Sequence, residues 1–124
     1  AGTRQFDGLR TVIYHVDDIV RAKAWYTEVL GIAPYFDEPF YVGYSVGGFE
    51  LGLHPDMSGI TVGTNVVAYW GVRDADAAYR RLLELGARKH QEVTDVGGGI
   101  LLGTVFDPFG NVFGVIANPH FRQE

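Results

Sequence analysis

Apolar and polar positions along the chain spell out one unit twice. An apolar run from Leu9 to Val16 leads into Val16-Asp17-Asp18 and a helix-period stretch ending at Leu30-Gly31. A second run, Asn65 to Val72, leads into Val72-Arg73-Asp74 and a stretch ending at Leu85-Gly86-Ala87. Further strand-like runs follow each copy. Within Thr11 to Val16 the alternation puts Val12, Tyr14 and Val16 on one face and Thr11, Ile13 and His15 on the other. Asp17 or Asp18 caps the first predicted helix, its carboxylate accepting from free amides at the positive end of the helix dipole. Val20, Ala24 and the Trp25/Tyr26 and Val29/Leu30 pairs form the expected apolar stripe, and Gly31 the stop. The second helix follows the same recipe, with Asp74 as cap, Ala75, Ala78, Tyr79, Leu82 and Leu83 as stripe, and Gly86 as stop.

Between the two helices, Tyr41 to His54 reads as a hairpin. Gly47-Gly48 separates two alternating runs, and a two-residue turn of this kind needs positive φ, which glycine adopts without steric cost. The register follows: Val46 opposite Phe49, Ser45 opposite Glu50, Tyr44 opposite Leu51, Gly43 opposite Gly52, Val42 opposite Leu53 and Tyr41 opposite His54. Val42, Tyr44, Val46, Phe49, Leu51 and Leu53 form the core face. Tyr41, Ser45, Glu50 and His54 form a polar face, left partly open by the two facing glycines. A one-residue slip would bury the carboxylate and expose the leucines, so this register is strongly specified.

The second copy ends comparably. Ile100 to Phe106 and Val112 to Ile116 read as strands joined by a turn at Asp107-Pro108-Phe109-Gly110-Asn111. Gly97-Gly98-Gly99 reads as a flexible loop, and Asn118-Pro119-His120-Phe121 as a closing tail. Two copies are too few for a solenoid, which needs about three or more repeats to bury a continuous core. The expectation is one α+β domain over 1–124, built from two fused modules at about 9–55 and 65–118, with a cavity where they meet.

Composition narrows the function classes. A chain of 124 residues with 47% apolar content supports one proper core. A net charge of −5, with only 10 Lys and Arg and those scattered, argues against a nucleic-acid surface. No window approaches the roughly 20 apolar residues that span a bilayer, and no charged-then-apolar leader opens the chain, so a soluble protein with no membrane partner is expected. The absence of Cys excludes disulfides, thiolate nucleophiles and sulfur-ligated zinc, in keeping with a cytoplasmic location. Ala1-Gly2-Thr3 read as a processed start without function. No nucleophile elbow, phosphate loop or dinucleotide fingerprint occurs, and Gly97-Gly98-Gly99 lacks a following helix to aim its amides at an anion. Asp37-Glu38 and Asp74-Ala75-Asp76 read as loop charge and helix caps.

Four strings together, Val16-Asp17-Asp18-Ile19, Trp25 to Gly31, Leu85-Gly86-Ala87 and Asp107-Pro108-Phe109-Gly110-Asn111, resemble the vicinal oxygen chelate superfamily. That group includes glyoxalase I, bleomycin-resistance proteins and extradiol dioxygenases. The resemblance covers nearly the whole chain and implies tandem βαβββ modules. Their U-shaped mixed sheets surround a cavity, with helices on the outer face, usually within a homodimer. Enzymes of the superfamily hold a divalent metal there, with one ligand from the first and one from the last strand of each module. Counting from the shared motifs places those positions on Thr11, Glu50 (or Gly52), Val67 and Gly114. Val and Gly side chains offer no donor and a Thr hydroxyl is a weak one, so no metal or other cofactor is expected.

The same resemblance sets the first strand parallel to the fourth. An offset of 39 residues, 50 − 11 and 54 − 15, then places Thr11 beside Glu50 and His15 beside His54. Three readings of the histidines stand: a solvated or hydrogen-bonded pair, a substrate-binding pair with one ring neutral, or a displaced metal site with Glu50. Glutathione-binding members of the superfamily carry a basic, substrate-contacting residue at the position of His15. Glu50 is either a desolvated general acid or base with a raised pKa or a carboxylate paired with Ser45, Thr11 and water. Tyr69 shares the cavity-facing parity of Val67, and Tyr41 and Tyr44 flank the hairpin, as pocket walls or as core. The second module's inward side otherwise reads Val67, Gly71, Gly103, Val105, Val112 and Gly114, an apolar half facing a polar one.

The expected function is therefore binding of a small, partly apolar organic ligand. Its residues are Thr11, His15, Tyr41, Ser45, His54 and Tyr69, with Glu50 as the one candidate catalytic group. A glyoxalase-like lyase or isomerase using Glu50 is the alternative, and a dimeric interaction module without ligand a third.

Overall fold

The computed structural model of the chain describes residues 5–120. Ala1-Gly2-Thr3 and Phe121 lie outside them. The chain divides into two compact units, Ala1–Ser58 and Gly59–Glu124. Each has the order strand, helix, three strands, giving an α+β architecture with two mixed four-stranded sheets.

In the first unit the elements are β1 (Thr11–His15), α1 (Ile19–Leu30), β2 (Phe36–Glu38), β3 (Tyr41–Val46) and β4 (Phe49–His54), and the sheet order is β1-β4-β3-β2. β1 pairs parallel with β4 at the predicted offset, Thr11 with Glu50 through His15 with His54. The hairpin register is also as expected from Val42–Leu53 to Val46–Phe49, with Gly47 and Gly48 at φ 58° and 90°. Tyr14, Val42, Tyr44, Leu51 and Leu53 are buried, while Val46 and Phe49 at the hairpin tip are half-buried. This face packs on α1. Tyr14 stacks on Tyr26 at 5.9 Å, and the Tyr44 hydroxyl bonds Thr27 Oγ1 at 2.8 Å and donates to the Lys23 carbonyl at 3.0 Å.

Asp18 is the cap of α1, accepting from the Arg21 amide, and Gly31 ends the helix at φ 70° with its amide on the Thr27 carbonyl. The buried residues of α1 are Ala22 and Tyr26, not the expected Val20 and Ala24. Val20 is 73% exposed. Positions 22 and 24 differ by about 200° around a helix, so the two small residues Ala22 and Ala24 point to opposite sides. Only contact with the sheet decides between them. Asp37-Glu38 is not a loop but two of the three residues of the short edge strand β2, where Asp37 pairs with Lys23 Nζ at 3.1 Å.

The second unit holds β5 (Ala68–Gly71), α2 (Ala75–Glu84), β6 (Arg88–Asp95), β7 (Leu101–Phe106) and β8 (Val112–Ala117), in sheet order β5-β8-β7-β6. Asp74 caps α2 through the Ala77 amide. The helix ends in a Schellman arrangement, Ala87 N–H to the Leu82 carbonyl and Gly86 N–H to the Leu83 carbonyl. Ala75, Tyr79 and Leu82 are buried.

The register shows that the expected inward list mixed two faces. Gly103 and Val105 pair with Val115 and Phe113 and lie under α2, where a Cβ on Gly103 would stand 3.1 Å from the Tyr79 ring. Gly114 and Val112 lie on the other face, with Thr104 and Phe106 opposite them. That face is not purely apolar. A register shift around His90 bulges β6, and the Tyr79 hydroxyl donates to the Thr104 carbonyl at 3.0 Å. The His90 ring then meets Thr104 Oγ1 at 2.9 Å and packs on Phe106, on which the Arg88 guanidinium also rests at 5.2 Å. The His120 ring bonds the Gly98 carbonyl at 2.6 Å, tying the tail to the Gly97-Gly98-Gly99 loop, where all three φ are positive.

The β7–β8 turn rests on a buried carboxylate. Asp107 is 1% exposed and its Oδ1 accepts from the amides of Phe109 at 2.9 Å and Asn111 at 2.8 Å. Asp107→Ala removes the acceptor that both half-buried amides share. It is expected to cost about 2 kcal/mol, read as a lower denaturant midpoint with unchanged slope, and Asp107→Asn less.

Candidate functional site

The open face of the first sheet, away from α1, carries most of the residues singled out in the sequence. They fall into two groups along β1 and β4. At one end the parallel register sets Thr11 against Glu50, and the Thr11 hydroxyl donates to Glu50 Oε1 at 2.7 Å. Tyr41 donates to the same oxygen at 2.8 Å. Tyr35, which the sequence reading missed, donates to Oε2. Three hydroxyls thus converge on one carboxylate.

Glycine makes the convergence possible. Gly43 and Gly52 face each other across the hairpin, and their missing side chains are not open space but seats. A Cβ on Gly52 would coincide with the Tyr41 hydroxyl, and one on Gly43 would stand 2.9 Å from Glu50 Oε2 and 3.3 Å from the Tyr35 ring. Two rings fill the slots and aim their hydroxyls at Glu50. Tyr35 precedes β2, and its amide bonds the Gly43 carbonyl at 3.0 Å. The facing glycines were the available signal for it, because a ring from a neighbouring strand commonly covers a strand glycine.

The electrostatics run against a raised carboxyl pKa. The hydroxyls of Tyr35 and Thr11 hold Glu50 below the ordinary carboxylate range, outweighing its slight desolvation. Glu50 is therefore the hydrogen-bonded carboxylate of the second sequence reading, with Thr11 and two tyrosines as partners and no bond to Ser45. Burial and then the bond to Glu50 push Tyr41 up to about 12. Tyr35 is raised first by its bond to Glu50. A cleft of about 280 Å³ opens beside the carboxylate, bounded by Arg10, Tyr35, Ser45, Gly48, Phe49 and Glu50.

At the other end, the rings of His15 and His54 stack with centroids 4.9 Å apart. Both are tied to the backbone of Asp56. His15 Nδ1 donates to the Asp56 carbonyl at 2.8 Å, and His54 Nδ1 accepts the Asp56 amide at 3.1 Å. The pair is thus hydrogen-bonded, with opposite tautomers, one protonated on Nδ1 and the other on Nε2. The Asp56 carboxyl is held low, chiefly by the Ser58 amide. Tyr41 links the groups, its ring 6.3 Å from that of His54. Tyr69 belongs to the second unit, where its ring covers Gly114 with Cδ1 2.6 Å from a would-be Cβ.

The metal positions implied by the resemblance do not fit a divalent ion. Matching bonds, Val16 N–H to the His54 carbonyl and Val72 N–H to the Ile116 carbonyl, make Gly52, not Glu50, the counterpart of Gly114. The four positions are then Thr11, Gly52, Val67 and Gly114. The first spends its hydroxyl on Glu50, and Tyr41 and Tyr69 lie over the two glycines. Among the described residues no group of three or more His, Cys, Asp and Glu side chains is placed to hold an ion.

Two predictions test this geometry. Gly52→Ala displaces the Tyr41 ring at a cost of about 1–3 kcal/mol, and tyrosinate absorbance should show one titration moving from about 12 back toward the ordinary tyrosine value. Because the Glu50 carboxyl is held low in the folded chain, its ionised form stabilises the fold above the unfolded value of about 4.3. That contribution disappears as pH falls through the lower folded value. Glu50→Gln is expected to lower the melting temperature at pH 7 by about 4 °C, for about 1 kcal/mol, and the gap to the parent should close on acidification below pH 4.

Comparison with known proteins agrees with this architecture. A family model for the glyoxalase/bleomycin resistance protein/dioxygenase superfamily matches residues 8–115. No curated protein sequence matches the chain. Among solved structures, a glyoxalase-related enzyme from Fulvimarina pelagi aligns with a TM-score of 0.79 and 22% identity, over 96% of this chain and 94% of that one. Lactoylglutathione lyase from Agrobacterium tumefaciens aligns at 0.74 and 20%, over 95% and 98%. A glyoxalase/bleomycin resistance protein from Albidiferax ferrireducens T118 aligns at 0.72 and 20%, over 89% and 98%. With two βαβββ units and a family match over residues 8–115, the chain belongs to the glyoxalase/bleomycin resistance protein/dioxygenase superfamily.

Proposed function

We propose that the protein binds a small, partly apolar organic molecule on the open face of its first module, and that Glu50 is the polar anchor of that site. The observation that carries this is the carboxylate fixed by Thr11, Tyr35 and Tyr41 at the edge of a cleft. A group held in place by three donors before any ligand arrives loses little freedom on binding, and preorganisation of this kind favours affinity. Ser45 and Phe49 supply a hydroxyl and an apolar wall in the same cleft. His15 and His54 shape the face from the far end, and Tyr69 is the second module's candidate contact. The proposal places the protein in the cytoplasm as a homodimer, in line with its lack of Cys and with the habit of its superfamily. No helix of the described residues is long and apolar enough to cross a membrane.

The alternative, a lyase or isomerase with Glu50 as acid or base, draws on the likeness to lactoylglutathione lyase. It is the weaker reading on the same observation. Hydroxyl donors that hold a carboxylate ionised also make it a poor base at neutral pH, where catalytic carboxylates are usually tuned upward.

A thermal-melt screen over aromatic antibiotics, thiol conjugates and 2-oxo compounds tests both. A ligand at about 100 times its dissociation constant adds about 2.7 kcal/mol of stability, a shift of several degrees, and Glu50→Gln should cut that shift to about half or less. Turnover of a thiol–2-oxoaldehyde adduct that Glu50→Gln eliminates would instead establish the enzyme.

A further inference from the structure

We propose that the cleft beside Glu50 takes an organic cation, a primary ammonium or guanidinium carried on an apolar or aromatic body. The inference rests on the binding reading above and names its ligand class.

Acceptor arithmetic comes first. A carboxylate oxygen accepts about two hydrogen bonds. Glu50 Oε1 has two, from Thr11 and Tyr41, whereas Oε2 has one, from Tyr35. One strong acceptor site remains, on the oxygen that lies over Gly43. A ligand donor fits there and a ligand acceptor does not.

Charge decides which donor. Among the described residues no basic side chain forms an ion pair with Glu50, so its negative charge is balanced only by neutral hydroxyls. Arg10 also borders the cleft, but it forms no ion pair with Glu50, and its guanidinium, 72% exposed and 3.9 Å from Asp7, has its charge screened by solvent. A neutral alcohol or amide would also make a charge-assisted bond to the carboxylate, but only a cation adds direct Coulomb attraction to it.

The walls agree with this chemistry. Tyr35 is 64% exposed and borders the cleft with the half-buried Phe49. Aromatic faces attract ammonium and guanidinium groups and offer apolar area to the rest of the molecule. A bare divalent metal gains nothing comparable, because it needs several hard donors and finds one open carboxylate oxygen.

Isothermal titration and melting curves at low and physiological salt test the assignment with matched probes: benzylamine and benzylguanidine, against benzyl alcohol, benzoate and magnesium chloride. The two cations are expected to bind and stabilise. Glu50→Gln should weaken them by about tenfold or more, and salt should weaken them further. Ser45→Lys keeps the fold independent of any loss at Glu50. It places an ammonium opposite the carboxylate on the neighbouring strand, and should block both probes while raising the melting temperature. If benzyl alcohol, benzoate or magnesium binds through Glu50 and the amines do not, the cation assignment is wrong and the Glu50 site stands. If neither these probes nor the wider screen bind through Glu50, both readings fail.

Discussion

The parallel pairing of β1 with β4 is the constraint on which the first module's chemistry depends. The two strands are 39 residues apart in sequence, and nothing local ties them together. Once paired, every odd position from Thr11 to His15 shares a face with its partner among Glu50, Gly52 and His54. Because side chains alternate with a period of two, a one-residue slip would turn Thr11 and His15 toward α1 and put Tyr14 in the open. Three interactions fix the register: the Tyr14–Tyr26 stack, the buried Tyr44 hydroxyl on α1, and the Val16 amide on the His54 carbonyl. The hydroxyl cluster at Glu50 and the imidazole stack at Asp56 are consequences of that single alignment.

On this scaffold the glycines matter as much as the polar side chains. Glycine within a strand weakens it, having nothing to pack and more chain entropy to lose. Here the loss is offset by tyrosine rings that use the vacancy, Tyr41 over Gly52 in the first module and Tyr69 over Gly114 in the second. These glycines are equivalent in the two modules, at positions where metal-bearing relatives place a ligand. Both halves therefore carry an aromatic floor at the position where the resemblance implies a coordinating group. In the first half the floor also ends in a hydroxyl that reaches Glu50.

Much of this was legible in the sequence because it depends on short-range rules. Alternation gave the faces of β1, β3 and β4, Asp17 or Asp18 and Asp74 gave the helix starts, and Gly47-Gly48 gave the hairpin, whereas the pairing of Thr11 with Glu50 came from the family resemblance, with which the 39-residue offset agreed. What was not legible depends on packing between elements. The stripe of α1 was placed correctly at Tyr26 but missed Ala22, because Val20 and Ala24 also fit the helical period. Gly103 and Val105 were set on the wrong face because a turn lies between β7 and β8, and the register across it comes from the buried Asp107. The sign of the Glu50 shift depended on Tyr35, which lies outside the hairpin altogether. Burial of a carboxylate and donation to it have opposite effects on its pKa, and alternation reports only the first.

The ionisable residues of the open face divide by how much capacity their neighbours leave them. His15 and His54 each commit Nδ1 to the Asp56 backbone, and the opposite tautomers this requires lock both rings as they stack. The pair therefore serves the segment that follows β4 before it serves any ligand. Glu50 differs. Its three donors come from side chains and leave one acceptor site open beside the cleft. Proximity in the register made the histidines and the glutamate look like one site, and hydrogen-bond capacity separates them. The proposed binding chemistry of the module therefore rests on the Thr11–Glu50 end, where one acceptor site of the carboxylate stays open.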